Sequence, residues 1–208
     1  MPKYKQGKQQ NLLDFHEFSD QVEKARLNTE HSAFIWLLYY SGCRKSEAYE
    51  RTIQDVEVSP THFTIDFHQR KKGGAAVDPL SFPRSWKGIE QLIKLYERAR
   101  QRKPNRKRIF YSEDKQRRSR IEKAQWLFPN IQSHTAWRIV KRVLGFQFYP
   151  HFLRLNRITE LAADPKMSLL RLKSYTGLKS LDALQAYMGI SKKEQEAALS
   201  WMEKKMKG

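Results

Sequence analysis

The sequence predicts a mainly α-helical α+β domain with one small antiparallel sheet. Apolar residues recur at helical spacing in several segments longer than ten residues, whereas strand-like alternation is confined to residues 53–82. The chain of 208 residues is long enough to bury one core of catalytic-domain size. Residues 1–10 are polar and basic and are interpreted as a lead-in or linker, so the domain is expected to span residues 11–208.

The charge of the chain indicates a polyanionic partner. Its 40 Lys and Arg residues against 22 Asp and Glu residues give a net charge of +18, which repels itself in a compact fold. Double-stranded DNA is therefore the first candidate. An anionic membrane is the second, but no basic amphipathic helix offers an anchor, and the longest apolar run, residues 33–40, is too short to span a bilayer.

The rest of the composition excludes several classes of site. A single cysteine, Cys43, rules out an internal disulfide and a cysteine-rich zinc site. Six scattered histidines without a metal-binding motif predict that no metal or other cofactor is needed. The basic N-terminus lacks the apolar core of a signal peptide, which predicts a cytoplasmic protein associated with the nucleoid.

The first helical segment covers residues 12–38 and is expected to be two helices broken near Asn28-Thr29. Phe34, Leu37 and Leu38 share a face, so the second helix is predicted to be buried. It leads through Gly42 to Arg44, which would begin a further helix. The simplest interpretation makes Arg44 a surface residue paired with Glu47 three positions later, which stabilises a helix by only a few tenths of a kcal/mol.

Three strands are predicted at residues 53–58, 62–68 and 76–82, with a turn at Gly73-Gly74 between the second and the third. Arg70, Lys71 and Lys72 would then lie at the tip of a hairpin. Charged residues at such a tip are commonly no more than a solvated turn.

A helix at residues 85–102 is followed by a basic segment. Residues 98–123 contain 12 basic and three acidic residues, with Pro104 as a breaker, and are interpreted as an insertion. The insertion is either a solvated loop or a segment that lies along the phosphate backbone of DNA. Its candidate DNA contacts are Arg106, Lys107, Arg108, Arg117 and Arg118.

The next helix is predicted at residues 133–144, with Trp137, Val140 and Leu144 on its buried side. Arg138 and Lys141 would lie on the other side, where they face either solvent or DNA.

The segment from Pro150 to Tyr187 carries the strongest signal for chemistry. Pro150 suits the first turn of a helix that runs to about residue 163, and His151 and Arg154 would share one face near its N-terminus, where anions are favoured. Ser168 and Ser180 are expected to cap two short helices, with Gly177 ending the first. Tyr187 lies at the end of the second, and a helix at 191–206 follows.

Taken together, these motifs resemble the catalytic domain of the tyrosine recombinases, or phage-type integrases. That family has a G-x-R-x-x-E box, a lysine in a β-hairpin, an H-x-L-R box and a tyrosine about thirty residues later. This chain has Gly42, Arg44 and Glu47, then Lys71 and Lys72. His151 and Arg154 come next, and Tyr187 stands 33 residues after Arg154. The order fits and the resemblance covers nearly the whole chain, with residues 98–123 accounting for a long gap between the two boxes.

The resemblance implies a role for each residue. Arg44, Arg154 and His151 would bind the scissile phosphate, while Glu47 orients Arg44. Lys72, or alternatively its neighbour Lys71, would protonate the departing 5′ oxygen. Tyr187 would attack phosphorus to form a 3′-phosphotyrosine.

Two departures from the family pattern bear on activity. Leu178 stands where a histidine or tryptophan is usual, so a hydrogen bond to the phosphate is missing unless Lys179 supplies it. Leu155 stands where the family often has a second histidine. The core set of Arg44, His151, Arg154 and Tyr187 is intact.

The resulting hypothesis is a site-specific recombinase that acts on double-stranded DNA. It would work as a homotetramer on two duplexes and be a monomer or weak oligomer when free, with residues 191–206 able to dock on a neighbouring subunit. Two alternatives use the same residues: a type IB topoisomerase-like enzyme that relaxes DNA as a monomer, and a DNA-binding protein with weakened catalysis.

Overall fold

The computed structural model describes residues 13–67, 78–104, 106–108, 122–164 and 166–177, with only the backbone at 106–108, 122, 123 and 169. This part of the chain contains seven α-helices: α1 (Phe15–Lys24), α2 (Thr29–Ser41), α3 (Lys45–Tyr49), α4 (Ile89–Arg100), α5 (Ser133–Leu144), α6 (Pro150–Ala163) and α7 (Leu169–Thr176). It also contains five strands: β1 (Val56–Val58), β2 (His62–Ile65), β3 (Leu80–Pro83), β4 (Arg106–Arg108) and β5 (Glu122–Ala124).

Helix α2 is the centre of the fold. Every residue from Ser32 to Ser41 is buried, because α4 and α6 pack against it, as do α3 and α5. The helix begins where the sequence predicts, at the N-cap Asn28, whose side chain accepts a hydrogen bond from the His31 N–H at 2.8 Å. It ends at Gly42, which is in the left-handed conformation with φ of 58°. The predicted break between two helices is therefore confirmed.

An aromatic cluster fixes α1 against α2. The Phe18 ring stacks on Tyr39 with 4.1 Å between centroids and meets Trp36 edge-on at 5.0 Å. Trp36 in turn stacks on Tyr40 at 5.5 Å. Such pairs add to the free energy gained from burial alone, so α1 is a firm part of the core.

The predicted three-stranded antiparallel sheet is present, with β2 between β1 and β3. Its strands are shorter than predicted. Residues 53–55 form a 3₁₀ turn instead of the start of β1, because the Asp55 carboxylate caps Thr52 through its N–H at 2.7 Å. β2 ends at residue 65 and β3 starts at residue 80, so the predicted strand residues 66, 67, 78 and 79 are not in the sheet.

The basic segment has regular structure at its two ends. β4 and β5, at its two ends, pair in antiparallel register with Lys107 opposite Lys123. A bridge between Thr52 and Trp126 joins the end of this segment to the core. Strand pairing of such charged residues was not predicted, because three-residue strands show too little alternation to recognise.

Three of the other predicted helices agree closely with the structure and one is shorter. α5 and α6 have the predicted limits, and α7 begins after the N-cap Ser168 and ends at Gly177. α4 starts at residue 89 and not at 85, because the Trp86 and Ile89 N–H groups form turns onto Pro83 and Trp86 carbonyls before Gly88 caps the helix. No helix in the described ranges is long and apolar enough to cross a membrane.

Candidate active site

Arg44 lies at the junction where α2 turns into α3. It is the N-cap of α3, and its side chain is 35% exposed. The Glu47 carboxylate, which is largely buried, accepts from the Arg44 backbone N–H and from Nη1, each at 2.6 Å. The first of these charge-assisted bonds fixes the Arg44 backbone at the start of α3, and the second holds one edge of its guanidinium. Arg44 is thus oriented by Glu47 while part of it remains open to the solvent.

Arg154 is buried, in contrast to the expectation that it projects from the surface beside His151. Only 2% of the residue is exposed. Its Nη1 donates to the carbonyl oxygen of Gly42 at 2.7 Å and its Nη2 to that of Thr176 at 2.8 Å, while Nε is buried without a protein hydrogen-bond partner. α6 packs against α2, which places Arg154 inside the protein. Its guanidinium joins the segment before Arg44 to the end of α7.

His151 lies at the surface, one turn before Arg154 on α6. Partial burial lowers the pKa of its imidazole, and the positive charges of Arg154 and Arg44 lower that pKa further. The imidazole is therefore neutral at pH 7. Arg154 in turn donates to the carbonyl oxygen of Gly42, two residues before Arg44, which places the start of α6 beside the start of α3.

Two residues that the sequence did not single out complete the junction. Arg157 donates from Nε to the Tyr40 carbonyl oxygen at 3.0 Å, and the Tyr175 hydroxyl donates to the same oxygen at 2.5 Å. Arg157 follows Arg154 by three residues, so the two share a helix face, which was an available signal. Nothing in the local sequence distinguishes Tyr175 from an ordinary core tyrosine.

An aromatic and cationic surface lies next to these residues. Trp137 is 38% exposed, which corrects the expectation that it is buried, and its ring stacks on Tyr149 with 6.0 Å between centroids. The ammonium groups of Lys45 and Lys141 lie 5.4 and 5.5 Å from the Trp137 ring centroid. Trp137 is held at the surface by these cation–π contacts and by the stack.

This surface lies beside the candidate site, because it includes Lys45, next to Arg44, and Tyr149, the N-cap of α6. Lys45 follows Arg44 and its Nζ is bonded to the Ser133 Oγ at 2.8 Å. Burial lowers the pKa of Lys45. Arg138 is exposed on α5, as predicted, and Lys141 is half-buried.

A small cavity of about 10 Å³ lies behind the site. Its lining includes Cys43, Glu47, Arg154 and Tyr175. The Cys43 thiol is fully buried, and burial followed by the nearby Glu47 charge raises its pKa to about 12. The thiol is therefore protonated and is not a nucleophile in this arrangement.

Several predicted site residues lie outside the described residues. These are Arg70, Lys71, Lys72, Arg117, Arg118, Leu178, Lys179, Ser180 and Tyr187, together with the side chains of Arg106, Lys107 and Arg108. The residues whose side chains are described include no group of three or more His, Cys, Asp or Glu that could hold a metal. Arg44, Glu47, His151 and Arg154 are the part of the predicted site that is visible.

Comparison with known proteins assigns the sequence to one family and finds solved structures with a similar fold. The model described as the phage integrase family matches residues 8–194. The fold is similar to that of the XerH site-specific recombinase in its post-cleavage complex with a palindromic difH substrate, at 20% identity and a TM-score of 0.62, covering 90% of this chain and 51% of the other. No curated protein sequence matches the chain.

Two further solved structures are similar. XerA recombinase has 15% identity and a TM-score of 0.59, with 91% of this chain and 62% of the other covered. The Tn1549 transposon integrase in complex with transposon right end DNA has 15% identity and a TM-score of 0.57, with coverage of 96% and 67%. The chain thus spans about half to two thirds of the length of these proteins. The predicted fold class, a tyrosine recombinase catalytic domain, is confirmed.

Proposed function

Because the chain belongs to the phage integrase family, we propose that it is a site-specific DNA recombinase that cleaves and rejoins DNA through a 3′-phosphotyrosyl intermediate. One observation supports this most directly. At the junction of α2, α3 and α6, Arg154 Nη1 donates to the carbonyl oxygen of Gly42, two residues before Arg44, and His151 lies one turn before Arg154 on α6. A phosphodiester is an anion that resists attack, and fixed cations around its phosphorus stabilise the transition state.

The reaction exchanges one phosphoester for another. The Tyr187 hydroxyl oxygen forms a bond to phosphorus, and the bond from phosphorus to the 5′ oxygen breaks. The phenol proton must leave, and the neutral His151 imidazole is suited to accept it. Lys72, or Lys71, would protonate the departing 5′ oxygen. A 5′-hydroxyl of a second strand reverses the step, so no external energy source is required.

The burial of Arg154 implies a change on binding DNA. In the free protein its Nη1 and Nη2 bind the carbonyl groups of Gly42 and Thr176. A phosphate oxygen is a stronger acceptor for a guanidinium than a carbonyl group is. The scissile phosphate would draw the guanidinium outward, and the half-exposed Arg44 would then hold the other side of the phosphate. Around the site, Arg138 and Lys141 would contact the DNA backbone.

The burial of Arg154 is also compatible with a protein that binds DNA without cleaving it. If Arg154 stays bound to Gly42 and Thr176 when DNA binds, the phosphate lacks a cation and the protein binds DNA without cutting it. A type IB topoisomerase-like enzyme remains the other alternative, since it would need the same residues. Recombination further requires several protomers, and we propose a homotetramer on two duplexes.

A covalent trapping experiment tests the proposal. Duplexes that bind the protein are first selected from a randomised library, and each is then prepared with a nick so that cleavage releases a short fragment and cannot be reversed. A protein–DNA adduct that survives SDS and is absent for Tyr187→Phe is the expected result. EDTA in the reaction excludes contaminating metal-dependent nucleases.

Other outcomes would decide among the alternatives. Binding of selected duplexes without an adduct would overturn the enzymatic proposal in favour of a DNA-binding protein. An adduct together with relaxation of supercoiled plasmid, but without joining of strands from two duplexes, would favour the topoisomerase-like alternative. Sedimentation of the complex with two duplexes measures the number of protomers.

A further inference from the structure

The carbonyl end of α2 is held by side chains from two other helices. The Tyr40 carbonyl oxygen accepts from Arg157 Nε on α6 and from the Tyr175 hydroxyl on α7. Two residues on, the Gly42 carbonyl accepts from Arg154. The last carbonyl groups of a helix have no partner within the helix, so these donors satisfy groups that would otherwise be buried and unpaired.

Arg157 also touches the backbone where the chain turns. A Cβ placed on Gly42 would lie 3.1 Å from the Cβ of Arg157, so the aliphatic part of Arg157 packs directly on that glycine. Its Nη1 is bonded to Glu160 at 2.9 Å, and its guanidinium lies 6.0 Å from the Tyr175 ring centroid. Arg157 therefore has little freedom to leave the Tyr40 carbonyl.

Arg157 and Tyr175 are both in the protonation state that lets them donate to the Tyr40 carbonyl oxygen. Burial works to lower the pKa of Arg157, but Tyr175 and Glu160 together raise it above its usual value. Burial raises the pKa of Tyr175. Arg157 is therefore charged and Tyr175 is protonated, so both can donate to one carbonyl at neutral pH.

We propose that Arg157 and Tyr175 are positioning residues for the cleavage reaction, acting through the carbonyl end of α2 on the segment that presents Arg44. Only Ser41, Gly42 and Cys43 separate the held carbonyl from Arg44. A shift of α2 at its end would move the Arg44 guanidinium relative to His151, and small displacements of a positioned group lower reaction rates strongly. For its effect on cleavage the inference rests on the proposed function.

The single cysteine offers a readout that does not depend on activity. Cys43 lies within the held segment and is fully buried, so a thiol reagent reaches it only when the segment opens. The rate of labelling under native conditions therefore measures that opening. DNA cleavage measures the consequence for Arg44.

The test uses Tyr175→Phe and Arg157→Met, singly and together. Tyr175→Phe keeps the ring and removes one donor, and a hydrogen bond of this kind is worth on the order of tenfold in the opening equilibrium. Cys43 should be labelled about tenfold faster, by that estimate. The double variant should exceed the product of the single effects, because the Tyr40 carbonyl then loses both side-chain donors. Tyr96→Phe, on α4, is the matched control.

Cleavage is measured as adduct formation in a single turnover at saturating DNA. Tyr175→Phe should slow it about tenfold, while the dissociation constant for DNA changes less than about twofold and the midpoint of thermal unfolding shifts no more than the few degrees that one hydrogen bond allows. A residue with only a structural role would lower the thermal midpoint without slowing the saturated rate.

The outcomes separate this inference from the proposed function. Labelling of Cys43 no faster than in Tyr96→Phe would overturn the inference, even if the wild-type protein forms adducts. Faster labelling with an unchanged single-turnover rate would show that the contacts hold the segment but do not position Arg44, which also overturns it. Absence of any wild-type adduct defeats the proposed function and, with it, the claim about Arg44.

Discussion

The buried guanidinium of Arg154 donates to the carbonyl oxygen of Thr176 at 2.8 Å, which ties the second turn of α6 to the last residue of α7. Thr176 lies eleven positions before Tyr187. The residue expected to bind the scissile phosphate is therefore joined, in the free protein, to the segment that leads to the expected nucleophile.

Replacing Arg154 should cost stability as well as activity. Arg154→Met leaves the Gly42 and Thr176 carbonyl groups buried without their donors, and we expect a loss of about 3 kcal/mol in the free energy of unfolding. Denaturation by urea measures it. Arg138→Met, on the exposed face of α5, is the matched control and should change stability by less than about 0.5 kcal/mol. Equal effects of the two substitutions would contradict the buried arrangement.

The pKa of His151 should lie below its usual range, and it should rise when the positive charge of Arg44 is removed. Burial and two arginines lower the pKa of the imidazole, so NMR should place that pKa below 6.5, with His151→Gln assigning the signal. Arg44→Ala removes one positive charge and should raise the pKa. An unchanged pKa in that variant would mean that the two side chains are not close.

The same shift gives stability a defined pH dependence. The unfolded chain binds the His151 proton more tightly than the folded protein does, so this residue lowers stability as the pH falls from the unfolded pKa near 6.5 toward the folded value. Above that window it contributes nothing. His151→Gln should therefore weaken the loss of stability as the pH falls below about 6.5, relative to wild type. His62→Gln, at a position in the sheet, serves as the comparison.

Glu47 should affect cleavage and DNA binding in opposite directions. Glu47→Gln removes the negative charge that accepts both Arg44 hydrogen bonds, so Arg44 loses its orientation while the protein becomes more positive. We expect adduct formation to fall about tenfold or more. Affinity for DNA should stay the same or rise slightly. A parallel loss of both quantities would indicate instead that the variant is partly unfolded.

Two glycines with positive φ should respond differently to alanine. A Cβ on Gly88, where φ is 84°, would lie 2.3 Å from the buried Trp36 ring, which cannot move aside. A Cβ on Gly145, where φ is 104°, meets only the flexible Gln147 side chain at 2.9 Å. Gly88→Ala should destabilise the protein by about 3 kcal/mol and Gly145→Ala by about 1 kcal/mol, as measured by urea denaturation. Similar losses would mean that Trp36 is not fixed where α2 places it.

Lys141 should contribute one phosphate contact that is independent of sequence. Lys141→Ala should weaken binding of every duplex to a similar extent and reduce the slope of log affinity against log salt concentration by about 1. Lys94→Ala, at an exposed position on α4, is the control and should leave the slope unchanged. A loss confined to selected duplexes would assign Lys141 to base recognition.

The ends of the helices were predictable where the capping residues depend only on their neighbours in sequence. Asn28, Ser168 and Gly177 act as caps through their own side chains or conformations, and these depend on neighbours in sequence. Strand ends were less predictable, because the Thr52–Asp55 turn competes with β1 through a side-chain contact that alternation does not reveal. The placement of His151 and Arg154 one turn apart on α6 was predictable from their spacing.

Side-chain direction was the main failure. Trp137 was placed in the core from its periodicity, but the Lys45 and Lys141 ammonium groups and the Tyr149 ring make a stable surface position for it. Arg154 was expected to project beside His151 from the N-terminal end of α6, yet two carbonyl groups from distant parts of the chain bind it inside the protein. In both cases the deciding partners are far apart in sequence, and no local pattern carries that information.

The complete enclosure of α2 has a consequence for how the chain is made. Its partners α4 and α6 begin at Ile89 and Pro150, so the apolar surface of α2 leaves the ribosome long before it can be covered. At usual rates of translation, the wait for α6 is roughly 5 to 20 s. During that time the part of α2 that α6 covers in the folded protein is open to other nascent chains. Chaperone supply during synthesis should therefore govern the yield of this protein more strongly than the final stability of its fold.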